Sequence, residues 1–340
     1  MKSEAKSKMT VLITLGILFA FSSLITTNHS LITGNSNISS DYSEDINLDK
    51  ENLKVSKVSG KIHINGNSGW VNAETSGICT GNGTYSDPYV IEDLVINGGG
   101  SGDCILIQNS DVYFRIENCT VSNSEIYTDR IFYNYWDYFF AGIRLSNVKN
   151  SLLLDNNCSF NNNGIHVGGF NNTIVGNIAH NNNGSGIYVT GNNHTISGNT
   201  ANNNDLFGIW LSSSFNNTVS GNIFSGRIYL YGSYYNNVSG NTANMVALAF
   251  SNYNNVSGNT ANGIQLIDSD YNTVSGNDAC WVEIGDNCDG NIFIDNEHCP
   301  PPNGDEIPFE LIILISVISG GAVIGVAALL LIIRKRKRIQ

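Results

Sequence analysis

The 340-residue chain carries 17 basic and 29 acidic side chains, a net charge of −12, and its usage is skewed toward 51 Asn and 35 Gly. Between residues 31 and 308 the balance is 9 basic against 27 acidic, a net of −18, which repels phosphate backbones and excludes a nucleic-acid partner. Apolar residues make up 41% of the chain and recur throughout, so it can build a core rather than stay disordered.

Met1–Lys8 is positively charged through Lys2, Lys6 and Lys8, and Val11–Ile25 is apolar. Small and polar residues follow, which predicts a signal peptide over 1–28. A polar, acidic linker is expected over 29–59.

From 60 to 300 the sequence repeats. Gly-Asn recurs at Gly176-Asn177, Gly198-Asn199, Gly221-Asn222, Gly240-Asn241, Gly258-Asn259 and Gly276-Asn277, with steps of 22, 23, 19, 18 and 18 residues. A short β-type run such as Thr173-Ile174-Val175 precedes each pair. A second run, such as Ile165-His166-Val167 or Ile209-Trp210-Leu211, lies further upstream in the same unit. The frame extends back to Asn156 and Asn118, is expected to reach Asn97, and extends forward to Asn296. Two short strands per unit of about 20 residues are the mark of a stacked solenoid. One coil alone cannot offset the entropy of ordering about 20 residues at ~1–2 kcal/mol each, so neighbouring coils must cover its faces. Asn tolerates the left-handed backbone region at a coil turn, and Asn on successive coils can stack into an amide ladder.

In the upstream run the two aliphatic residues share a face, so the residue between them points outward. That outward column reads Leu106, Arg144, His166, Tyr188, Trp210, Tyr229, Ala247, Gln265. Two readings stay open: a carbohydrate-binding stripe made by Arg144, His166, Tyr188, Trp210 and Tyr229, or an aromatic ladder serving cross-strand packing. A break in the period over 125–141, rich in aromatic residues and containing Tyr135 and Trp136, is expected to be a loop that joins the stripe. Sequons at Asn82, Asn118, Asn157, Asn171, Asn183, Asn193, Asn216, Asn237 and Asn255 are candidate glycosylation sites.

Seven cysteines, Cys79, Cys104, Cys119, Cys158, Cys280, Cys288 and Cys299, suit an oxidising exterior and are disulfide candidates, with one left over. Asp268, Asp270, Asp286 and Asp289 lie in turns, where they serve as solvated acids or as loose calcium ligands; no other cofactor is expected. After a linker over 301–310, Leu311–Ile333 is an uncharged stretch of 23 residues. As a helix it would be about 35 Å long, enough to cross a bilayer. The basic tail 334–340 then stays cytoplasmic, which leaves the solenoid outside the cell.

The pattern G-I-x-(V/L)…N-(N/x)-T-(V/I)-S-G-N resembles the right-handed parallel β-helix repeat of the NosD-like, carbohydrate-binding and sugar-hydrolase group, over roughly residues 60–300. The lead-in Gly83-Thr84-Tyr85-Ser86-Asp87-Pro88-Tyr89-Val90-Ile91 looks like that of archaeal surface members. The resemblance implies an all-β, right-handed parallel β-helix solenoid, to which the chain adds one C-terminal transmembrane helix. It implies little about activity, since that group holds lyases, hydrolases, binding modules and copper-site maturation factors. No convergent carboxylate set or basic catalytic residue stands out, so the expected role is non-enzymatic: binding glycans or other surface proteins, or serving as an envelope element. A polysaccharide lyase or hydrolase, and a purely structural stalk, are the alternatives.

Overall fold

A computed structural model describes residues 56–125 and 140–296. The signal-peptide region, most of the aromatic loop with Tyr135 and Trp136, Cys299, and the apolar and basic C-terminal segments lie outside the described residues. Among the described residues no helix is long and apolar enough to cross a membrane.

The described chain is a parallel β-solenoid. A ten-stranded sheet runs in unbroken sequence order from Tyr89–Glu92 to Ile292–Ile294, and each strand pairs only with its copies in adjacent coils. A twelve-stranded sheet carries the Ile-x-Leu runs, from Ile62–Asn65 to Asp278–Ile284, and a three-stranded sheet starts at Lys57–Ser59. That first strand lies in the stretch expected to be linker. Every ladder between these strands is parallel, and in the middle coils the core positions stay in register, for example Ile187↔Ile209 and Val219↔Val238. With ~4.8 Å per coil, ten coils make a stack about 45 Å long.

Period-two alternation puts Ile165, Ile187, Ile209 and Ile228 in one fully buried column and Ile174, Ile196, Val219 and Val238 in another. Trp70 closes the upper end. It lies on a ten-residue helix, Gly66–Thr75, that no periodicity announced. Its ring packs on Tyr89 and Phe114, with centroids 5.2 and 4.6 Å away, and its Nε1–H donates to Ser110 Oγ at 2.9 Å. A covered end is what a solenoid needs to avoid presenting open strands.

The repeated Asn residues form the expected amide ladder, but their backbone role differs from the expectation. The left-handed residues are the preceding glycines, from Gly176 (φ 68°) to Gly276 (φ 60°). Each Asn points inward, buried, and its Oδ1 accepts the N–H of the Asn one coil earlier; Asn177, Asn199, Asn222, Asn241 and Asn259 repeat this at 2.9–3.0 Å. Buried coil corners thereby satisfy backbone groups that strand pairing cannot reach. At the top the frame shifts by one residue. Cys119, not Asn118, takes the ladder position, its N–H donating to Asn156 Oδ1 at 3.0 Å, while Asn118 is left-handed (φ 51°). Asn97 pairs with Ser122 on another side and is not a ladder member.

A second inward ladder runs through Asn172, His194, Asn217, Asn236, Asn254, Asn272 and Asn291. A serine ladder, Ser214–Ser233–Ser251–Ser269, lines the same turn. A short third ladder, Asn161–Asn182–Asn204, exists only in the long coils. This explains the fall in step from 22–23 to 18–19 residues. Later coils omit that turn, so the third side runs straight into the first face as single strands, Thr242–Ala249 and Thr260–Ile267.

Candidate functional site on the outward face

The in-register ladders place His166, Tyr188, Trp210 and Tyr229 directly beneath one another, with Arg144 above His166. The column predicted from alternation therefore exists, but His166, Tyr188 and Trp210 are buried and do not offer their faces to solvent, while Tyr229 is half-buried. Successive centroids lie 4.7, 4.6 and 6.5 Å apart with interplanar angles of 33°, 31° and 34°. Phe207, from the turn of the long coil, adds a ring 5.6 Å from Trp210 and 4.7 Å from Tyr229. Tyr188 and Trp210 retain only 8% of their accessible surface. A sugar needs a free ring face to stack upon, and these faces cover one another. Burial also pushes the Tyr188 phenol above its usual value, opposed by its hydrogen bond with Ser212.

The upper end of the column is more polar. Asp103 is buried to 4% side-chain exposure and lies 3.6 Å from Arg144 Nη1, while its Oδ1 accepts the Ala141 N–H at 2.8 Å. Burial raises the Asp103 pKa above the usual carboxylate value, opposed by that N–H and by Arg144. His166 Nε2 is within hydrogen-bond distance of Thr190 Oγ1 at 3.2 Å. Sequence reasoning identified Arg144 and His166 but missed Asp103, whose position two residues before the Ile105 strand carries no repeat signal.

Sequons sort by position. Asn171, Asn193 and Asn216 stand exposed on one corner of consecutive coils, all left-handed (φ 55°, 59°, 55°). Asn82, Asn118, Asn157, Asn183 and Asn255 are also exposed, whereas Asn237 is half-buried and accepts from Asn255 Nδ2 at 2.9 Å. The disulfide expectation fails at five positions: Cys79, Cys104, Cys119, Cys158 and Cys288 are free thiols. The first four fill interior columns where a small apolar group is wanted, and burial raises their pKa, to about 11 for Cys79, Cys104 and Cys119. Among the described residues no group of three or more His, Cys, Asp or Glu side chains is placed to hold a metal ion, and the turn acids Asp268, Asp270, Asp286 and Asp289 form no such group.

His194 is the odd member of its ladder. It is 1% exposed; its Nδ1 accepts the Asn172 N–H at 3.1 Å, its own N–H donates to Asn217 Oδ1 at 2.8 Å, and its Nε2 has no partner among the described residues. Burial pushes this imidazole down to about 4.

Comparison with curated proteins and with solved structures returned no match. A family model described as the right handed beta helix region matches residues 15–242 and again 104–300. The matches span the stacked coils, the first starting upstream of the first described strand, and the chain belongs to this right-handed β-helix family.

Proposed function

We propose that the chain is a secreted, membrane-tethered β-helix that stands outside the cell as a rigid, non-enzymatic envelope element. The observation that carries this reading is the continuity of its ladders. The Cys119-to-Asn296 hydrogen-bond series crosses every coil between those residues without interruption, and the column best placed to bind a ligand is packed against itself. Such a stack resists bending, because any hinge would have to break buried amide bonds in a low-dielectric interior. The apolar Leu311–Ile333 stretch supplies the tether and the basic tail its orientation. Glycans on Asn171, Asn193 and Asn216 would line one edge.

A second reading, glycan contact at the top of the column, rests on Asp103, Arg144 and His166, where a part-exposed guanidinium is held against a buried carboxyl. One experiment separates the two. External protease on intact cells releases the ectodomain, which is then placed on a glycan array and incubated with polyuronides. The structural reading expects release, no array signal and no unsaturated or reducing-end product. Array binding that Arg144→Ala abolishes would establish the second reading, and product release would replace both with an enzyme.

A further inference from the structure

The corner that carries Asn171, Asn193 and Asn216 continues downward as Tyr235, Tyr253 and Tyr271, in the same left-handed conformation (φ 59°, 58°, 52°). A bulky residue there costs roughly 1–2 kcal/mol relative to glycine, and Asn in the coils above shows that the fold itself does not call for an aromatic ring. The three rings stack at 5.1 and 5.1 Å with interplanar angles of 10° and 5°, and they are 58%, 47% and 49% exposed. Two further ring pairs lie at nearby positions of these coils, Phe215–Tyr234 stacked at 5.4 Å and Tyr231–Phe250 edge-on at 5.6 Å. Three half-exposed rings stacked in register on one corner, rather than scattered singly, mark an interaction surface.

Charge says what it faces. Among the described residues the last basic side chain is Arg227; from 228 to 296 there are no Lys or Arg and seven acids, Asp268, Asp270, Asp278, Glu283, Asp286, Asp289 and Asp295. Asp268 and Asp270 share the turn of Tyr271, and Asp289 lies one coil below, its N–H donating to Asp270 Oδ1 at 2.7 Å. A second copy of this edge would bring like charges together.

We infer that the Tyr235–Tyr253–Tyr271 edge, with the carboxylates at its lower end, is the docking surface for a basic polypeptide segment of another protein. Arg or Lys side chains would lay their aliphatic stems along the ring edges and direct their charged ends to the tyrosine hydroxyls and to Asp268, Asp270 and Asp289. This goes beyond the envelope role and does not depend on it.

The test uses the full chain purified in mild detergent and a fluorescein-labelled peptide of alternating Arg and Gly, with a Glu–Gly peptide as control, read by anisotropy at low and high salt. The expected result is salt-sensitive binding of the Arg peptide alone. It should weaken at least tenfold in the triple variant Tyr235→Asn, Tyr253→Asn, Tyr271→Gly, which leaves every charge in place, suits the left-handed backbone and adds no glycosylation sequon. Its melting temperature should hold or rise. If the triple variant loses its cooperative melt, Tyr253→Asn alone, in the middle of the stack, reads the same loss. Equal binding by wild type and a folded variant would reduce the effect to bulk acidity and overturn the proposal. Failure of the Arg peptide to bind overturns it as well. A concentration-dependent dimer that the variant abolishes, with no peptide binding, would name a second copy as the occupant instead.

Discussion

His194→Asn should stabilise this protein, and more so in acid. In the wild type the Asn172 N–H is bound to the only free lone pair of a neutral imidazole, and Nε2 has no partner among the described residues. The other inward members of this ladder, such as Asn217 and Asn236, accept an N–H and also donate through Nδ2, to the Gly191 and Ser214 carbonyls at 3.0 Å. Asn at 194 restores that second function, a gain of about 1 kcal/mol at neutral pH. The pH term adds to it. The folded-state value of about 4 lies below the unfolded value of about 6.5, so the unfolded chain binds the extra proton between them. The His194 contribution is therefore complete above pH 6.5 and falls as pH drops toward 4. Linkage over that window gives about 2 kcal/mol less stability at pH 5 than at pH 7. Urea unfolding followed by circular dichroism at the two pH values measures it, and the other histidines cancel in the difference between wild type and variant. Equal acid losses in the two proteins, or a His194→Asn variant less stable at pH 7, would refute the reasoning.

Trp210→Ala removes a ring packed between Tyr188, Phe207 and Tyr229 and should cost about 3 kcal/mol, visible as a lowered melting temperature. A stable variant would mean that the ring is displayed rather than packed. Asn222→Ala strips four ladder bonds, accepting from Asn199 N and Nδ2 and donating to the Ile196 carbonyl and Asn241 Oδ1; about 3 kcal/mol should be lost, and hydrogen exchange should rise first in the coils flanking it. Thiol titration in native buffer should leave Cys79, Cys104, Cys119 and Cys158 unmodified, because burial keeps them protonated and out of reach, and all four should react in denaturant. Gly186→Ala should destabilise, since a Cβ there would lie 2.8 Å from the Gly208 carbonyl oxygen and against the Asn204 amide.

Periodicity alone fixes the parallel stack, because Ile165, Ile187 and Ile209 can bury their side chains only if each coil lies on the one before. The same spacing made the Asn177-to-Asn277 ladder and the His166–Tyr229 column legible, since parallel in-register strands turn a repeat in sequence into a line in space. The Tyr235, Tyr253 and Tyr271 edge was also written there, as Tyr-Asn-Asn and Tyr-Asn-Thr standing where Asn171-Asn172-Thr173 stood. It went unread because a turn residue's exposure depends on the backbone angle it adopts, not on its period. What only the tertiary structure decided was orientation and cover. Whether an outward ring is free or buried depends on its neighbours' rotamers and on Phe207 arriving from a turn that only the long coils possess. Cys79, Cys104, Cys119 and Cys158, which suggested disulfides, proved to be small interior fillers, since a thiol's partner is set by which columns face each other across the core. Asp103 and the strained tyrosines owe their surroundings to residues distant along the chain, and proximity of that kind leaves no mark on local sequence.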